Sequence, residues 1–143
     1  MLATKEDITR YIPQRAPIVM IHDLVEADAD RVVTRLQVEP DNIFVWGGRL
    51  EAPGLVENIA QTAAAQIGYY CAQNNIPVPV GYIAAVKDLQ IEALPLQNSQ
   101  ITTSVRILHK VMDFTVARGE ITQGDRVLCS CEMKILAKLE TRS

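Results

Sequence analysis

Apolar residues recur at helical spacing over one long stretch, residues 53–74, where Val56, Ile59, Ala60, Ala63, Ala64 and Ile67 share a period of 3.6. Pro53 suits the first turn, where its missing N–H is no loss, and Asn74 and Asn75 before Pro77 form a stop. The helix is rich in alanine and carries Gly68, so other backbones can approach it closely. Elsewhere the period is two. Residues 31–38 set Val32, Thr34, Leu36 and Val38 against Val33, Arg35 and Gln37. Residues 18–26 read as a strand before it, joined through an Ala-Asp-Ala-Asp turn at 27–30. Four more strands are predicted at 80–91, 100–111, 113–122 and 126–137, with a Gln-Gly-Asp turn at 123–125.

Residues 4–11 read as a short helix that Thr4 caps, with Asp7 at capping-box spacing. Pro13 and Pro17 bracket an extended loop. Residues 39–52 form a second loop, holding Trp46, Gly47 and Gly48. The order is helix, two strands, loop, long helix, four strands. Too few helices are available for parallel crossovers, so the order predicts an α+β fold, an antiparallel sheet covered on one face by the long helix. Neither a linker nor a repeat divides the chain, so residues 1–143 form one domain.

Charge adds little to this picture. The net charge of −3 lacks the basic footprint of a nucleic-acid binder. No stretch approaches the roughly 20 apolar residues of a membrane span. Residues 1–13 carry acidic side chains and no apolar run, unlike a secretory leader. Cys71, Cys129 and Cys131 contain no CxxC pair. Cys129 and Cys131, two apart in a strand, share a face and read as reduced core thiols, which places the chain in a reducing cytoplasm. Two histidines and three cysteines show no metal-ligand spacing.

Four segments carry a pattern shared with a known family. Residues 12–26, IPQRAPIVMIHDLVE, are similar to an opening that runs Leu-Pro-His-Arg, a proline and a strand. Residues 53–61, PGLVENIAQ, resemble a Pro-Gly loop followed by a Glu-x-x-Ala-Gln helix. GYIAAVKDL at 81–89 resembles the strand after that helix. Gly119 and Glu120, with GDRVLCSCEM at 124–133, resemble the final hairpin. Together the four segments resemble the hotdog-fold (3R)-hydroxyacyl-acyl-carrier-protein dehydratases, and the resemblance implies a curled antiparallel sheet wrapped around one central helix. It also implies a homodimer or larger hotdog oligomer with a continuous sheet and acyl tunnels at the interface. The chain would need no cofactor of its own. Its substrate would be a thioester on the phosphopantetheine of an acyl carrier protein, or on coenzyme A, in fatty-acid or polyketide-type metabolism.

Glu57 and Gln61 are four apart and share a helix face. A carboxylate among apolar neighbours suits proton exchange with a substrate, and Glu57 follows Leu55 and Val56. The resemblance gives Glu57 and Gln61 catalytic roles. The first helical amides, at Gly54 and Leu55, are expected to be unpaired and to stabilise charge on a thioester oxygen. A solvated Glu57 at the helix start and a Gln61 that tethers a loop are the structural alternatives.

The sequence departs from the family at one decisive place. The family's Gly-His-Phe-Pro loop, which carries a catalytic histidine, is replaced by FVWGGRLEAP at 44–53, and Gln14 replaces the opening histidine. Only His22 and His109 exist, each in a predicted strand. Arg49 is a candidate for holding a thioester oxygen or phosphate with its fork of donors. Trp46 is a candidate for lining the tunnel or the dimer seam, and Glu51 is a second carboxylate near the helix start. Three functions remain open. The chain is a dehydratase acting through Glu57, an assisting subunit that binds acyl carriers or a histidine-bearing partner, or a thioesterase using Glu57.

Overall fold

The structure is a computed structural model that describes residues 1–79 and 81–137. Strands β1 (Asp23–Ala27) and β2 (Arg31–Gln37) form the first hairpin. A two-stranded hairpin, β3 (Val45–Trp46) and β4 (Arg49–Leu50), leads into helix α1 (Ala52–Gln73). Strands β5 (Gly81–Ile91), β6 (Gln100–Val111), β7 (Phe114–Gln123) and β8 (Arg126–Ala137) complete the chain. Six strands make one antiparallel sheet in the order β1-β2-β6-β7-β8-β5, curled against the helix in the hotdog manner.

The Asp28 carboxylate closes the β1–β2 turn by accepting the amides of Asp30 (2.8 Å) and Arg31 (2.9 Å). Gly47 and Gly48 both adopt positive φ, as a two-residue hairpin loop requires, and so turn part of the expected 39–52 loop into β3–β4. Two glycines set how closely layers approach. A Cβ at Gly119 of β7 would overlap Ile59 of the helix, and one at Gly68 would overlap the Tyr11 carbonyl oxygen. The helix thus lies tightly on the sheet beneath and under the N-terminal segment above. Leu24, Leu36, Ile101, Val105, Ile121 and Met133 fill the core between sheet and helix.

Two expectations need correction. The 4–11 helix is a single 3₁₀ turn, Ile8–Arg10, and neither Thr4 nor Asp7 caps it through a side chain. The Thr4 hydroxyl donates instead to Glu6, while its carbonyl accepts the amides of Asp7 and Ile8. The strand expected at 18–26 starts only at Asp23, after His22 has bonded the Arg35 carbonyl, because the backbone at 18–20 bonds to helix side chains instead. The remaining strand predictions agree within about a residue, with residue 80 outside the described set.

Candidate active site

Three sides of α1 have different surroundings. Thr62 meets Thr34 of β2, with 2.7 Å between the hydroxyls, and Ile59, further round the helix, meets Gly119 of β7. Asn58, Gln61 and Gly68 lie under the N-terminal segment. The third side carries Val56, Glu57, Ala60, Ala64 and Ile67, which are only half buried. It continues round the helix in the sense that leads towards β8 and β5. On the same side of the sheet, β5 presents Ile83, Val86 and Ile91. Their register partners Ile135, Met133 and Cys129 are core residues, yet these three remain more than a third exposed. Helix stripe and strand thus both leave apolar side chains uncovered on this side of the single chain, an open trough-like face with Glu57 on its helix side.

Gln61 fixes that carboxylate. Its amide nitrogen donates to Glu57 Oε1 (2.9 Å) and to the Ile18 carbonyl (2.8 Å), while its Oε1 accepts the Met20 amide (2.6 Å). The Gln61 side chain, fully buried, therefore tethers the segment at 18–20 and holds one carboxylate oxygen of Glu57. Asn58, which sequence reasoning missed, completes the clamp. It donates to the Met20 carbonyl (2.7 Å) and accepts from Thr103 of β6 (2.5 Å). Its signal was a pair of polar residues, Asn58 and Thr62, four apart in a run of alanines. The Thr62 hydroxyl also donates to the Asn58 carbonyl, so every polar group of this buried cluster is engaged.

Other expected site residues fall elsewhere. The amides of Gly54 and Leu55 are not free: both bond the Glu51 carbonyl, at 2.9 and 3.3 Å. Both residues are buried, and a Cβ at Gly54 would lie 2.7 Å from Phe44 and Leu50. The β3–β4 hairpin covers the helix start, so these two amides are closed to a thioester oxygen of the same chain. Arg49 is exposed and reaches the Leu94 carbonyl at 3.5 Å, and Trp46 stands 80% exposed on the hairpin. Glu51 precedes the first helical turn without a side-chain cap bond.

Neither histidine enters the trough. His22 lines a separate cleft of about 390 Å3 with Lys5, Glu39 and Asn42. Its Nδ1 accepts the Gln37 amide at 3.3 Å, and burial holds its pKa below the ordinary value. His109 is exposed near the far end of β6. Burial pushes the thiols of Cys129 and Cys131 up to about 11, so they are inert core groups. Among the described residues no cluster of metal-ligating side chains occurs, and no helix is long and apolar enough to cross a membrane.

The curled sheet on one central helix, with a tethered carboxylate on that helix, agrees with the dehydratase-like hotdog class expected from the sequence. The family profile described as ApeP-like, ApeP dehydratase, matches residues 6–142. The chain belongs to the ApeP-like dehydratase family. It is 24% identical over 138 residues to the 3-hydroxyacyl-acyl-carrier-protein dehydratase FabZ of Coxiella burnetii, covering 89% of this chain and 94% of that one. It is similar in structure to the dehydratase heterocomplex ApeI:P of Xenorhabdus doucetiae, with a TM-score of 0.86, 19% identity and coverage of 93% and 91%. A hypothetical thioesterase from Streptococcus pneumoniae, solved with coenzyme A, shares the fold at a TM-score of 0.65 and 12% identity, over 84% of this chain and 88% of that one.

Proposed function

We propose that this chain is a dehydratase subunit for 3-hydroxyacyl thioesters borne on the phosphopantetheine of an acyl carrier protein, with Glu57 as the proton-transferring group. The observation that carries the proposal is the Glu57 carboxylate, fixed by Gln61 in the wall of an apolar trough. One carboxylate can balance the reaction alone. It takes the α-proton, the resulting enolate expels the 3-hydroxyl as the C–O bond breaks, and the carboxylic acid returns the proton to form water. The enoyl thioester remains, and Glu57 is again ionised.

The trough needs a second wall. β5 is an edge strand of 11 residues, with Tyr82, Ile83, Val86, Leu89 and Ile91 all exposed. Such an edge is a template for pairing with another chain. A second hotdog subunit joined at β5 closes the trough and supplies the charge stabilisation that the Gly54 and Leu55 amides do not. A second reading, the assisting subunit of a hetero-oligomer, is favoured by the position of both histidines outside the trough and by the likeness to a dehydratase heterocomplex.

The test is mass analysis of products from a 3-hydroxyacyl carrier protein, with wild type and Glu57→Gln. Water loss by wild type, reduced about 100-fold or more in the variant, supports the dehydratase reading. Water loss only after a histidine-bearing hotdog chain is added selects the assisting role. Free acid without an enoyl product refutes both and indicates a thioesterase.

A further inference from the structure

The β6–β7 hairpin outgrows the strand beside it. Arg31, where β2 begins, stands opposite Arg106, and β6 runs on past that point to Val111 before β7 returns from Phe114. The overhang is roughly 17 Å long at about 3.3 Å per residue. A register shift between Ile107 and His109 turns Lys110 to the inner face, opposite Thr115, and leaves His109 on the outer one. The inner face of this overhang, the last turns of α1 and the β1–β2 turn enclose a cavity of about 490 Å3. That volume suits a small ligand. The cavity is separate from the trough. At about 100° per residue, Gln66 and Gln73 in its wall lie roughly 160 to 180° round the helix from Glu57, and Gln66 is roughly 14 Å further along the axis. Between the two places, Ile59 against Gly119 and the Thr62–Thr34 hydroxyl pair close the helix onto the sheet.

Two deeply buried polar side chains line this cavity, Gln66 at 7% exposed and Thr115 at 8%. The Gln66 amide nitrogen donates to the Asp28 carbonyl at 2.7 Å. Among the described residues its Oε1 has no partner, and neither has the Thr115 hydroxyl. Folded proteins rarely leave such oxygens unused. The walls around them are apolar and aromatic, with Tyr69 and Tyr70 on the helix and Met112 at the hairpin tip. Tyr11 steadies the Tyr69 ring, with centroids 5.5 Å apart. The mouth carries Asp28 and Asp113 against Lys110, and the ion pairs among the described residues include none of the three. The amides of Asp30 and Arg31 bond the Asp28 carboxylate and keep it ionised. The helix adds partial negative charge, since it ends at Gln73 with no basic residue in its last turn. Two carboxylates and a helix C-terminus against one ammonium leave the mouth negative, and the ring faces of the tyrosines also attract a cation.

We infer that this cavity is a second ligand site, and that its ligand is a small organic amine, a ring-sized apolar body bearing an ammonium group. The ammonium donates to Gln66 Oε1 and the Thr115 hydroxyl. The body packs against Tyr69, Tyr70 and the adaptable Met112 side chain. Asp28 and Asp113 at the mouth draw the charge in and exclude anions. The inference stands apart from the reaction proposed at Glu57 and uses none of its residues.

The experiment titrates the full chain with three probes of nearly one shape, phenethylamine, phenethyl alcohol and hydrocinnamate, and follows the NMR signals of the protein. The amine should shift the Gln66 side-chain amide and the Thr115 backbone amide saturably, and bind at least about tenfold more tightly than the alcohol. Hydrocinnamate should leave both signals in place. Thr115→Val, which keeps the side-chain shape, and Asp113→Asn, at an exposed position, should each weaken the amine at least about threefold while binding of the alcohol stays the same. The melting temperature of each variant is read beside its affinity, so that a lost fold is not counted as a lost site. The three probes on wild type decide the matter without any variant. An amine that binds no more tightly than the alcohol, or that moves only signals outside the cavity, overturns the inference. So does amine affinity unchanged in both variants, because the charge preference would then arise elsewhere on the chain.

Discussion

Replacing Gln61 by leucine tests whether one side chain fixes both the N-terminal segment and the site. The two residues are similar in volume, so little cavity arises. The change leaves the Met20 amide, now bonded at 2.6 Å, and the Ile18 carbonyl, at 2.8 Å, without their partners. Met20 is 1% exposed, so its amide has little access to water. The buried Met20 amide left unpaired costs about 2 kcal/mol, while the Ile18 carbonyl, on a residue 37% exposed, turns to water and adds little. For a domain of this size about 3 °C is lost per kcal/mol, giving a fall in melting temperature of about 6 °C. Differential scanning calorimetry reads the fall, and hydrogen exchange should quicken at the Met20 amide. A fall below about 3 °C, with the Met20 amide still protected, would refute the reasoning, because the segment would then be held by Asn58 alone.

Gly68→Ala places a methyl group onto the Tyr11 carbonyl oxygen and should destabilise by about 1 to 3 kcal/mol, read by urea denaturation; an unchanged midpoint would show that the segment slides without cost. Burial lowers the His22 pKa below its reference of 6.5, so the unfolded chain binds the extra proton first as pH falls. Stability from this group is therefore complete above about 6.5 and is lost as pH falls through the lower folded value; His22→Asn should flatten that part of a stability-pH curve. The thiols of Cys129 and Cys131, held near 11, should resist alkylation of the native protein at neutral pH and react on unfolding, as mass spectrometry would show.

Most of the fold was legible because its elements are long and periodic. The helix was read at 53–74 and runs Ala52–Gln73, and the four C-terminal strands agree closely with their alternation. The failures share a cause. Residues 18–20 have the composition of a strand, but their backbone groups bond to Gln61 and Asn58, partners about 40 residues away that no local pattern reveals. Strands β3 and β4 are two residues each, too short for periodicity to show. At the site, the shared helix face of Glu57 and Gln61 followed from their spacing alone, and their bond was found in the structure. The closure of the Gly54 and Leu55 amides did not, because it depends on Phe44 and Leu50 folding back over the helix start.

If the proposed second subunit pairs at the edge of β5, this protein's stability becomes a matter of concentration. A second chain that binds the folded form and not the unfolded one adds stability by mass action, so the melting temperature rises as the protein is concentrated and falls on dilution. A single chain would then carry an uncovered 11-residue edge strand, with Tyr82, Ile83, Val86, Leu89 and Ile91 exposed, until it met that partner. Until then the strand most ready to complete the trough is also the one most ready to join the wrong sheet.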